Sequence, residues 1–148
     1  MPQTALTFEI VQIPAETFAF VVRRVEADQV GEFVQGAIGR VGQFAAEHGG
    51  PQGPPMAIAS KPDEYGSLVI EAGWPVAEGT EPTAPVEVSR LPQARAISYR
   101  HVGAYDELGS AFYRELFAAV HDSGLIPIAA PRERYLEDHV TEIVWPVA

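Results

Sequence analysis

The chain repeats itself. Its first half opens Phe8-Glu9-Ile10-Val11-Gln12-Ile13-Pro14 and its second opens Val86-Glu87-Val88-Ser89-Arg90-Leu91-Pro92; both begin apolar-Glu-apolar and end apolar-Pro. The first half closes Tyr65…Glu71-Ala72-Gly73-Trp74-Pro75-Val76, and the second closes Tyr135…Glu142-Ile143-Val144-Trp145-Pro146-Val147. A shared Glu-x-x-Trp-Pro-Val at the same place in each half marks a tandem duplication.

The middles agree too. Val30, Phe33, Val34, Ala37, Ile38, Val41, Phe44 and Ala45 recur at helical spacing and predict a helix, ended by Gly49 and Gly50. In the second half Asp106 is expected to cap a helix whose buried face is Leu108, Ala111, Phe112, Leu116, Ala119 and Val120, with Gly124 as its stop. Strands are expected near 7–13, 18–24, 55–60 and 67–75, then near 86–91, 95–102, 126–130 and 140–147. Pro14 and Pro92 should split the first strand of each copy, because proline cannot donate to a central ladder. Residues 77–85, rich in Pro, Glu and Thr, read as the linker.

The fold class is therefore α+β: duplicated β-α-β-β units, about 6–76 and 86–148, forming one antiparallel sheet with two main helices and a pseudo-twofold axis. Neither copy alone is expected to bury its apolar face, so residues 1–148 should form a single domain.

Composition narrows the function. A net charge of -10 repels phosphate backbones, so direct nucleic-acid binding is not expected; the same field favours cations or a basic protein patch. No cysteine is present, which removes disulfides and thiolate chemistry. Met1 to Pro14 lacks a basic, then apolar, leader, and no run is long enough to span a membrane; a cytoplasmic location is the default. His48, His101, His121 and His139 are scattered without metal-ligand spacing, so neither a metal nor a cofactor is expected. Phosphate-loop and serine-nucleophile motifs are absent.

Among candidate site residues Glu142 stands out as a carboxylate on an apolar strand, costly to bury unpaired. It has three options: solvent, an ion pair with Arg100 or Arg134, or a pocket awaiting a ligand. Its partner Glu71 is expected to face solvent or be paired. Tyr65 and Tyr135 occupy matching places, which suits either a shared structural task or a ligand wall. Tyr105, in the loop before the second helix, can lean into a groove. Trp74 and Trp145 match as core residues, though Trp74 could also border a groove.

The opening strand with Pro14, His101-Val102-Gly103-Ala104-Tyr105, Pro131-Arg132-Glu133-Arg134-Tyr135 and Thr141-Glu142-Ile143-Val144-Trp145-Pro146-Val147 together resemble the GyrI-like family over essentially the whole chain. That family includes the effector-binding domains of AraC-type and MerR-type multidrug regulators; this chain has no helix-turn-helix and looks like a stand-alone, bacterial-type member. The resemblance implies a ligand groove between the two repeats, with Glu142 facing it among aromatics such as Tyr105 and Tyr135. It implies binding of bulky hydrophobic, cationic or aromatic small molecules, since rings and a sheltered carboxylate both attract cations. Two alternatives accompany it. One is a hydrolase of cyclopropane-containing alkylating natural products, with Glu142 as general base. The other is an acidic, gyrase-modulator-like module for an unknown protein partner.

Overall fold

The computed structural model describes residues 6–148, so the first part of the Met1–Pro14 leader reading lies outside the described residues. Pro14 and Pro92 do divide the opening strands. Copy one runs β1 (Glu9–Ile13), β2 (Glu16–Glu26), α1 (Val30–Ala46), β3 (Met56–Ala59) and β4 (Ser67–Val76). Copy two runs β5 (Glu87–Leu91), β6 (Ala94–Val102), α2 (Ser110–Asp122), β7 (Arg132–Glu137) and β8 (Val140–Pro146). Short helical turns at Ala27–Gln29 and Tyr105–Glu107 precede the helices.

All eight strands join one antiparallel sheet in the order β1-β6-β8-β7-β3-β4-β2-β5. The opening strands are exchanged. β1 pairs with β6 of the second copy, Ile10 opposite Ile97, and β5 pairs with β2 of the first, Val88 opposite Ala19. The registers match copy to copy: Ala19 faces Trp74 as Ile97 faces Trp145, and Ala57 faces Ala72 as Glu133 faces Ile143. The two copies meet where β3 and β7 pair, with Ala57 directly opposite Glu133. The pseudo-twofold axis passes through that pair.

Alternation along each strand sorts the sheet into two faces. One face carries the helices. Val41, Phe44 and Ala45 of α1 pack with Ala19 and Val76, and Leu116 and Val120 of α2 pack with Ile97, Ile143, Trp145 and Val147. The other face has a cluster drawn from strands, with Phe18, Phe20 and Met56 at 0%, 6% and 1% exposure. Ile58 and Leu91 pack against them. Arg132 of copy two reaches Glu16 of copy one on this side, at 3.6 Å.

Two expectations need correction. The second helix is not capped by Asp106, which belongs to the preceding helical turn; α2 starts at Ser110, with extended Gly109 before it, so Ala111 is exposed rather than buried. The penultimate strand is Arg132–Glu137, not 126–130. The run Ile126-Pro127-Ile128 makes only a bridge to the end of β8, from Pro127 to Val147, because prolines at 127 and 131 remove two donors. Ile126 and Ile128 are consequently exposed.

Candidate functional site

The misplaced strand matters because its residues build a dense polar cluster. β7 reads Arg132-Glu133-Arg134-Tyr135, and its period of two sends Glu133 and Tyr135 to the helix-bearing face and both arginines to the other. Three tyrosine hydroxyls converge on Glu133. Tyr105 and Tyr135 each donate to its Oε1 at 2.9 Å, and Tyr113 of α2 donates to its Oε2. The Tyr105 and Tyr135 oxygens are 3.2 Å apart, and their rings meet edge to face at 5.6 Å between centroids. The Trp145 ring meets that of Tyr113 edge to face, 6.2 Å between centroids.

The electrostatics follow from burial. Desolvation, reinforced by the charge of Glu133, pushes the Tyr105, Tyr113 and Tyr135 phenols well above their usual range. All three therefore remain O–H donors at neutral pH, and Glu133 is the acceptor they share. Tyr105 is 38% exposed and forms the outer wall. Beside it a cavity of about 250 Å³ is lined by Tyr105, Tyr135, Glu137, Asp138 and His139, among others. Two rings and two carboxylates on one rim make a surface suited to cations. Glycine suits the root of the Tyr105 loop, where Gly103 takes φ +149°, a conformation that side-chain-bearing residues rarely adopt.

The sequence-derived candidates separate into two groups. Tyr105 and Tyr135 come together. Glu142 does not join them. It projects from β8 to the face away from the helices, where it ion-pairs with Arg134 and accepts from Ser98 Oγ at 2.8 Å. A carboxylate free among aromatics is thus not what Glu142 provides; the ion-pair option with Arg134 is the one realised. Tyr65 is 84% exposed in the turn before β4, and the register makes Ala59, not Tyr65, the counterpart of Tyr135. Trp74 docks under α1, donating its indole N–H to the Ile38 carbonyl at 2.8 Å. Neither Tyr65 nor Trp74 is part of the cluster. Glu133 and Tyr113 were the residues missed. Reading 132–137 as a strand would have put Glu133 beside Tyr135, and helical spacing would then have offered Tyr113 from above. Among the described residues no group of three or more His, Cys, Asp or Glu could hold a metal ion, and no helix is long and apolar enough to cross a membrane.

Comparison with known proteins places this geometry in context. The family model of the GyrI-like small molecule binding domain matches residues 6–148. No curated protein matches significantly. Among solved structures, SAV2435 bound to tetraphenylphosphonium superposes with a TM-score of 0.68 at 15% identity, covering 97% of this chain and 94% of that one. The EcmrR C-terminal domain gives 0.70 at 19% identity, covering 96% and 97%. A hydrolase from Listeria innocua gives 0.66 at 15% identity, covering 99% and 94%. At these identities the likeness is one of fold.

Proposed function

The chain belongs to the GyrI-like family of small-molecule-binding domains, and from that premise we propose that it binds a bulky hydrophobic cation, with Glu133 as the counter-charge and Tyr105 and Tyr135 as aromatic walls. The observation that carries this reading is the convergence of three tyrosine hydroxyls on one carboxylate at the junction of the two copies. Without a ligand the hydroxyls satisfy the carboxylate. With one, the cation lies against the Tyr105 and Tyr135 rings and is drawn to Glu133 by charge alone, and the rings supply cation–π attraction of about 0.5–2 kcal/mol each. Binding in a partly dry setting strengthens the charge contact further. The chain's overall negative charge raises the local concentration of such ligands. SAV2435, a neighbour in fold, was seen with a ligand of this kind.

Tetraphenylphosphonium is the test ligand, followed by the emission of Trp145 next to Tyr113. Glu133→Gln should weaken binding about tenfold or more, a loss of ~1.4 kcal/mol. Glu142→Gln should leave affinity nearly unchanged, because its carboxylate serves Arg134. Equal affinities for Glu133→Gln and the parent would overturn the assignment.

One observation also favours a second reading, hydrolysis. A carboxylate ringed by protonated phenols is equipped for it. Freed of the Tyr105 hydroxyl, the Glu133 carboxylate takes a proton from water as the water oxygen bonds to a carbon of the strained ring; the ring C–C bond breaks, and its electron pair passes to a conjugated oxygen that a phenol hydrogen-bonds. Mass-spectrometric detection of water added to a cyclopropane-bearing electrophile, lost in Glu133→Gln, would establish it; an intact compound after long incubation leaves binding alone.

A further inference from the structure

A second recessed site lies on the first copy, at the outer side of α1, with the opposite charge preference. β5 covers β2 only from Glu16 to Phe20, so the strand beyond Phe20 borders an open groove of about 460 Å³ beneath the outer flank of α1. Arg23, Arg24 and Arg40 line it together with one acid, Glu32, so three positive charges against one leave +2 in a chain of net charge -10. Arg24 is held by Asp63 at 2.6 Å. Neither Arg23 nor Arg40 has an acidic partner within ion-pair distance among the described residues. Arg23 instead lies over the Phe33 ring, 5.3 Å from its centroid, and makes no side-chain hydrogen bond among the described residues. Val21, Phe33 and Ala37 supply the apolar part of its lining.

The helix is left bare at this place. Gly36 lines the groove, and a Cβ there would meet nothing within 4 Å, so no close packing explains a residue that weakens a helix interior. Gly31 and Gly39 are equally free of contacts, but only Gly36 opens into the groove. We infer that the groove between β2 and α1 binds a small aromatic or apolar acid, its carboxylate taken by Arg23 and Arg40 and its apolar part resting against Val21, Phe33 and Ala37 over Gly36. Guanidinium forks match a carboxylate in geometry, and the volume falls within the range of small-molecule sites.

Benzoate is the probe, titrated into the full chain and followed by two-dimensional amide NMR. The expected result is saturable movement of the Gly36 and Ala37 amides, with Tyr105 and Tyr135 unmoved. Arg23→Gln combined with Arg40→Gln should raise the dissociation constant at least fivefold. Gly36→Leu should abolish the response while keeping the folded spectrum, because leucine favours the helix and fills the space. Inorganic phosphate should move these amides less than benzoate does. The inference is overturned if benzoate moves nothing at about 10 mM, if its effect survives Gly36→Leu, or if phosphate matches it.

Discussion

Glu71 and Glu142 hold equivalent places in the two copies and meet opposite surroundings. Glu142 is flanked in the ladders by Arg100 and Arg134; at the same positions Glu71 is flanked by Val22 and Ile58. Glu71 is half-buried without a cation, and Glu87 stands near it. Its carboxyl is raised above the usual range, first by desolvation and then by repulsion from Glu87. A raised carboxyl favours the fold in its neutral form. That contribution is present below the ordinary glutamate pKa and is lost as pH rises through the folded value. Glu71→Gln should therefore stabilise the protein at neutral pH, by roughly 0.5 kcal/mol at most because the group remains partly in water. The gain should vanish near pH 4, where Glu is itself protonated. Chemical denaturation at the two pH values checks this, and an advantage that persisted in acid would point to a cause other than charge.

At the scale of elements, α1 shows how one helix reserves different glycines for different ends. A Cβ on Gly42 would stand 3.1 Å from Trp74 Nε1, whose N–H is already committed to the Ile38 carbonyl. A Cβ on Gly36 would meet open space. Gly36→Ala should raise stability by about 0.5–1 kcal/mol, while Gly42→Ala should gain nothing or lose, since moving the indole away would break its hydrogen bond to the Ile38 carbonyl. Thermal unfolding of the two variants decides it; an equal rise in both would mean that Trp74 is not seated on bare backbone. The face of α1 and the Pro-split opening strands were legible because their periodicity is strong and unbroken. β7 was not, since Arg132-Glu133-Arg134-Tyr135 carries charge on both faces and resembles a loop, whereas the apolar Ile126-Pro127-Ile128 resembles a strand. That one displacement hid Glu133 and left Glu142 as the only conspicuous carboxylate. Tyr105 and Tyr135 were found regardless, because their motifs do not depend on where the strand begins.

For the molecule as a whole, the exchange of β1 and β5 decides how it unfolds. Were each copy's four strands paired among themselves, one half could melt while the other stood. Instead β1 finds its hydrogen-bond partner only in β6 of the other copy, and β5 only in β2. The halves are further joined by the β3–β7 ladder through Ala57 and Glu133 and by the Arg132–Glu16 pair. Losing either copy strips the other of an outer strand and exposes apolar residues such as Ala19 and Ile97, both 0% exposed. Unfolding should therefore be a single cooperative event. The chain has a natural reporter in each copy: Trp74 under α1, and Trp145, which donates to the Ala129 carbonyl at 2.9 Å. In Trp145→Phe the tryptophan emission comes only from the first copy, and in Trp74→Phe only from the second. Each substitution will lower stability by about 1 kcal/mol through its lost hydrogen bond, so the test lies within each variant. The fluorescence midpoint in urea should coincide with that of far-ultraviolet circular dichroism, which reports both helices together. Separate midpoints in either variant would show that the copies unfold independently and that strand exchange does not couple them.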